Sequence, residues 1–177
     1  MCRKFTLVIG GASSGKSDIS EKLCVSSGLD RIYLATSRIF DAEMRNKVDR
    51  HRTQRGPDWH TVEEPFTADA VIADLQDTQV LLMDCATMWL TNHLLEDANL
   101  DAQVNALITA IDAAKGEIVV VTNEVGMGIV PDNALSRRFR IAQGALNRRL
   151  AERADCVVGV MAGLPFSLKG PLPEGLA

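Results

Sequence analysis

Long apolar runs are missing from this chain of 177 residues. The longest, such as Ile118–Val121 and Cys156–Val158, fall far short of the ~20 residues a helix needs to cross a bilayer. Met1-Cys2-Arg3-Lys4-Phe5 leads directly into a strand-like segment, without the apolar region and cleavage site of a secretory leader. The expected compartment is the cytoplasm. Closely spaced cysteines are missing too. Cys2, Cys24, Cys85 and Cys156 have no pair nearer than 22 positions, which disfavours zinc-ligand spacing and a disulfide framework alike. Buried free thiols are the expectation. Nor is there an excess of positive charge: the formal net charge of −4 argues against nucleic acid as a partner. Repeats, linkers and low-complexity stretches are absent, so one domain over residues 1–177 is expected, long enough to bury a core without staples.

What is present is unevenly placed charge. Arg45, Lys47, Arg50, Arg52 and Arg55 face a single acid, Asp49, giving a local balance of +4 and leaving −8 for the remainder. A second basic group, Arg137, Arg138, Arg140, Arg148 and Arg149, reads as a solvated or subunit-facing helix surface.

Strand and helix patterns alternate along the chain. Phe5–Ile9, Arg31–Thr36, Val80–Asp84, Glu117–Val121 and Cys156–Met161 read as strands. Helices are expected over 17–26, 41–52, 101–115 and 133–153, each with apolar residues at helical spacing. The Pro/Gly-rich tail from about Leu164 is expected to be loosely ordered. Buried strands alternating with amphipathic helices imply a three-layer α/β domain with a mainly parallel sheet. Ligands of such sheets sit beyond the C-terminal strand ends, where Gly10, Thr36, Asp84 and Asn123 fall.

Gly10-Gly11-Ala12-Ser13-Ser14-Gly15-Lys16-Ser17 matches G-x-x-x-x-G-K-[ST], directly after a strand and opening a helix. Small residues let backbone N–H groups wrap phosphates, and the helix N-terminus adds partial positive charge. Lys16 would reach the β- and γ-phosphates and Ser17 would ligate Mg²⁺. Asp84 ends a strand where such proteins place the acid that holds Mg²⁺ or its waters; capping of a helix over 87–95 is the competing role. His51 lies between Arg50 and Arg52, where like charge favours the neutral imidazole and a free nitrogen for nucleophilic or base chemistry. A surface histidine near a helix end is equally compatible with composition. Asn123-Glu124-Val125-Gly126-Met127-Gly128-Ile129-Val130-Pro131 reads as a loop of defined shape, aiming Asn123 and Glu124 at the site, or as a plain strand-to-helix connection.

Together these segments resemble the bifunctional adenosylcobinamide kinase/adenosylcobinamide-phosphate guanylyltransferase family of cobalamin biosynthesis. The resemblance covers about residues 6–163. GGASSGKS (10–17), YLATS (33–37), HRTQRGPDWHTVEEP (51–65), DCATMWLTN (84–92) and NEVGMGIVP (123–131) carry it. It implies a P-loop NTPase-like (RecA-like) fold and two reactions on one corrinoid substrate, with ATP and GTP as nucleotide substrates. Adenosylcobinamide is phosphorylated first. GMP is then joined to that phosphate through a covalent GMP–histidine, for which His51 is the match. The resemblance places nucleotide contacts at Gly10–Ser17, Ala35, Thr36, Ser37, Arg52, Thr53, Gln54, Arg55, Glu63 and Asp84, and implies a ring-like homotrimer. Some members carry two adjacent histidines where this chain has Arg50-His51, and Met88 stands where leucine is common, a volume-conserving swap. A single-activity P-loop kinase of another small alcohol, and a nucleotide-gated binding protein, are the alternatives.

Overall fold

The structure is a computed structural model that describes residues 4–38, 56–173, 175 and 176. Strands β1 (Phe5–Gly10), β2 (Asp30–Ala35), β3 (Trp59–Glu63), β4 (Gln79–Asp84), β5 (Glu117–Asn123), β6 (Cys156–Met161) and β7 (Leu164–Lys169) form one sheet in the order β3-β2-β4-β5-β1-β6-β7. All neighbours are parallel except β6 and β7. The helices are α1 (Lys16–Ser26), α2 (Ala68–Ala73), α3 (Ala86–Leu95), α4 (Leu100–Ala113) and α5 (Ala134–Arg153). None of the described helices is long and apolar enough to cross a membrane.

The central strands are rich in β-branched residues because both of their faces are buried. Leu7, Leu81, Met83, Ile118, Val120 and Val157 point to one face and pack with side chains from α2, α3, α4 and α5, among them Ile72, Trp89, Leu107 and Leu150. Their neighbours Val8, Val80, Leu82, Val119, Val121 and Val158 point to the other, where Ile19 and Cys24 of α1 meet them. This period-2 division of one sheet between two cores produces the three layers. Asn99 and Asn133 start α4 and α5, accepting hydrogen bonds from Ala102 N (3.1 Å) and Ser136 N (2.7 Å). Such caps each contribute ~1 kcal/mol.

Two differences from the sequence expectation concern this architecture. Residues 164–169 are not loose: they form β7, antiparallel to β6, with Met161 opposite Leu164 across a two-residue turn. Trp59–Glu63 and Ala68–Ala73 are an additional strand and a short helix. The helix expected over 41–52 lies outside the described residues.

Candidate functional site

The ends of β1, β2, β4 and β5 meet along one edge of the sheet. Gly10 is in register with Asn123, and Ala35 with both Glu63 and Asp84. From this edge β1 runs into the phosphate-loop motif. Gly10 is required by close approach, since a Cβ there would run into the Val160 carbonyl and lie 2.7 Å from Ser14 Oγ. Gly15 adopts φ +96° and caps α1 without a side-chain bond. The first N–H groups of α1 therefore stay directed at the loop, an anion site by geometry and by helix dipole. Gly11, Ala12 and Ser13 form the exposed crest, with Ser13 at φ 55°. Lys16 is buried to 7% exposure; its ammonium donates to the Gly11 carbonyl and lies 3.4 Å from Ser14 Oγ, so the charge is held inside the loop's curve.

Ser17 and Asp84 come together from α1 and β4, with Ser17 Oγ 3.5 Å from Asp84 Oδ2. The same carboxylate oxygen accepts 2.9 Å from the Tyr33 hydroxyl, so a buried phenol on β2 fixes the acid from the other side. Asp84 does not cap the following helix: Cys85 occupies that position, with no side-chain cap bond. A hydroxyl and a carboxylate are hard oxygen donors of the kind Mg²⁺ prefers. Among the described residues no group of three or more His, Cys, Asp or Glu side chains could hold a metal ion by itself.

Thr36 links the two strands that end at this edge. It is fully buried, and each of its polar groups is used inside the protein. Its Oγ1 donates to Cys85 O (2.7 Å) and accepts from Cys85 N (2.8 Å), its N–H goes to Asp84 O (3.2 Å), and its carbonyl accepts from Asn92 Nδ2 (2.8 Å). Thr36 therefore ties β2 to β4, and the half-buried Ser37 beyond it is the residue of the Ala35–Ser37 segment that faces outward. Glu63 is exposed at the end of β3. Glu124 follows directly on β5. Its carboxylate bonds the Gly126 N–H and so shapes its own loop, while its N–H donates to Gly10 O (3.0 Å). Asn123 is held through its backbone, by Thr87 Oγ1 on its N–H (2.8 Å) and Asn147 Nδ2 on its carbonyl (3.0 Å). His51, Arg52, Thr53, Gln54 and Arg55 lie outside the described residues.

Several positioning residues escaped the sequence reading. Asn92, completely buried, donates to Thr36 O and to Pro65 O (2.9 Å), joining the ends of β2 and β3. Trp89 Nε1 (2.9 Å) and His93 Nε2 (3.1 Å) both contact Phe66 O, so α3 holds the loop after β3 at three points. Only a polar residue inside an apolar helix hinted at this. Next door, Glu64 accepts from the Thr67 and Phe66 N–H groups, which hold its carboxyl below the usual range.

The profile of the cobinamide kinase / cobinamide phosphate guanyltransferase family (CobU) matches residues 6–168. The bifunctional adenosylcobalamin biosynthesis protein CobP of Pseudomonas aeruginosa is 42% identical over 167 residues, covering 93% of this chain and 96% of that one. CobU of Escherichia coli K12, with the same description, is 37% identical over 179 residues, covering 92% and 98%. The crystal structure of the flagellar accessory protein FlaH from Methanocaldococcus jannaschii superposes with a TM-score of 0.52 at 11% identity, covering 94% of this chain and 78% of FlaH, a likeness of fold alone. With the phosphate loop, Ser17 and Asp84 converging at one sheet edge and the match running over nearly the whole sequence, the chain belongs to the cobinamide kinase / cobinamide phosphate guanyltransferase family.

Proposed function

We propose that this protein carries out both family reactions at the edge just described. In the first, the aminopropanol hydroxyl of adenosylcobinamide attacks the γ-phosphorus of ATP or GTP; an O–P bond forms, the β–γ phosphoanhydride breaks, ADP or GDP leaves, and the hydroxyl proton passes to solvent. In the second, a neutral His51 nitrogen attacks the α-phosphorus of GTP and pyrophosphate leaves. A phosphate oxygen of adenosylcobinamide phosphate then displaces His51, giving adenosylcobinamide-GDP. The observation that carries this reading is the buried Lys16 ammonium inside the loop, beside the Ser17–Asp84 pair. Lys16 and the N-terminal N–H groups of α1 bind and orient the phosphates of either nucleotide. Ser17 and Asp84 would hold Mg²⁺, which when bound offsets the negative charge of the phosphate chain. Arg52 and Arg55, neighbours of His51 in sequence, supply further positive charge. By the same resemblance the protein works as a cytoplasmic homotrimer.

Incubation with α-labelled GTP and Mg²⁺ tests the second reaction. The expected product is an acid-labile, alkali-stable GMP–protein bond on the peptide containing His51. His51→Ala loses the label and guanylyl transfer while corrinoid phosphorylation persists at least in part, because γ-transfer needs no protein nucleophile. His60→Ala, at an exposed position, keeps the label. Label on another residue, or label retained by the His51 variant, rules this mechanism out; phosphorylation without label points to a single-activity kinase.

A further inference from the structure

β5 ends between the strand that carries Asp84 and the strand that runs into the phosphate loop. Its last residue, Asn123, is paired with Gly10, the first residue of that loop, so the two backbones run ~5 Å apart. Asp84 is paired with Val121, which sets Asn123 about 6–7 Å farther along the strand direction. Side chains alternate along β5. Val119 and Val121 belong to the core beneath α1, whereas Thr122 faces α5 and donates to Asn147 Oδ1 (2.7 Å). Asn123 therefore points to the α1 side of the sheet, the side from which Ser17 reaches Asp84.

What holds Asn123 is its backbone. Thr87 Oγ1 accepts from its N–H (2.8 Å), and Asn147 Nδ2 donates to its carbonyl (3.0 Å). Thr87 and Asn147 belong to one buried polar group with Thr122 and Gln143, none of the four more than 6% exposed. Gln143 Nε2 donates to Thr122 Oγ1 (2.9 Å) and Asn147 Oδ1 (2.8 Å), and Thr87 Oγ1 lies 3.5 Å from Thr122 Oγ1. Such a network is costly to bury and rigid once bonded, and this one fixes a single strand end from α3 and α5 together. The Asn123 carboxamide takes no part in it. Among the described residues this half-buried side chain makes no hydrogen bond.

We infer that Asn123 is a further catalytic residue, whose side-chain amide donates to an oxygen of the γ-phosphoryl group. This rests on the nucleotide-transfer reading above. Lys16 and the N-terminus of α1 take up the phosphates from the loop, and the Ser17–Asp84 pair marks the end of the chain where β and γ lie. Asn123 stands beyond Asp84 on the same face, so it approaches the terminal phosphoryl group from the sheet. A neutral amide suits that place. Its N–H meets oxygens that gain negative charge during transfer, where a carboxylate would repel them. Asn123 passes no proton and forms no covalent bond; a prepositioned hydrogen bond is its whole contribution.

The test compares the full-length protein's affinity for GDP and for a non-hydrolysable GTP analogue, both with Mg²⁺, by calorimetry. Corrinoid phosphorylation is timed alongside. Asn123→Ala keeps both backbone bonds and should hold GDP at wild-type affinity while binding the analogue about tenfold or more weakly. Its kcat for phosphorylation should fall about a hundredfold. Asn123→Asp, nearly the same in shape, should bind the analogue more weakly still. Equal loss of both ligands overturns the proposal and makes Asn123 a support of the loop. Wild-type affinity for the analogue overturns it too, as does a wild-type kcat or an Asp variant that holds the analogue better than the Ala variant. If the unaltered protein phosphorylates no corrinoid, the transfer reading falls, and the contrast between GDP and the analogue still decides the contact.

Discussion

A single carboxylate oxygen, Asp84 Oδ2, connects three elements: its own β4, Tyr33 on β2 at 2.9 Å and Ser17 on α1 at 3.5 Å. Tyr33 is buried edge-on to Trp59, with centroids 6.2 Å apart, so its hydroxyl has little freedom to leave the acid. Asp84→Asn keeps the shape and removes the charge. Hydrogen bonds to charged groups are worth about 1.5–3 kcal/mol, so the Mg²⁺ concentration for half-maximal turnover should rise roughly 10- to 150-fold in both transfers. Tyr33→Phe, which leaves the carboxylate in place, should shift it in the same direction by less. Metal titrations of the two activities check this. If both variants match wild type, Asp84 serves only to tie β2 to β4.

At the scale of elements, the β6–β7 hairpin acts as a buttress for the phosphate loop. Its turn residues Ala162 (φ 53°) and Gly163 (φ 79°) have the positive φ pair that lets a two-residue turn follow strand twist. Gly163 bonds Ser14 O, and its Cα lies 3.1 Å from where a Gly15 Cβ would be. A side chain at 163 would enter open space, so Gly163→Val tests backbone strain alone. That strain costs about 1–3 kcal/mol, and the melting temperature should fall roughly 2–10 °C. Nucleotide affinity should fall with it, because Ser14 loses its support; normal affinity at a lowered melting temperature would separate the hairpin from the loop. The hairpin was not legible in the sequence. Its turn is Ala-Gly rather than Asn-Gly, and Pro165 in an edge strand reads as loop. The half-buried edge strand β3 lacks a continuous apolar run, and α2 has six residues, too few to show a helical period. By contrast β1, β5 and β6 stood out because burial on both faces demands unbroken apolar runs. The phosphate loop stood out because its backbone tolerates so few residue types. Hydrogen bonds such as those of Asn92 and Tyr33 depend on which strands become neighbours, and no local pattern encodes that.

At the scale of the whole molecule, the two faces of the sheet also decide the chemistry of the thiols. Cys24, Cys85 and Cys156 all pack on the face that α1 covers, at 8% exposure or less. Burial pushes the Cys85 thiol up to about 11, with the Asp84 charge adding to it, while the Met88 and Thr87 N–H groups act the other way. Burial raises Cys24 as well, helped by Glu117 and Glu21. In each case the folded protein favours the neutral thiol. The associated stability is therefore fully present below the unfolded value near 9 and is lost as pH climbs toward the folded value. For Cys85 the difference between 9.0 and about 11 corresponds to something on the order of 2–3 kcal/mol. Thermal melts between pH 7 and pH 11 should stay level to about pH 8.5 and then decline. Cys85→Ala should lower the melting temperature at neutral pH and decline less steeply above pH 9, because one ionisable group no longer separates the two states. The difference between the two slopes is the quantity to measure, because every other group is common to both proteins and cancels in it. Parallel slopes would mean that water reaches Cys85 in the native state, and the same protein would then react with a thiol reagent at that position without unfolding.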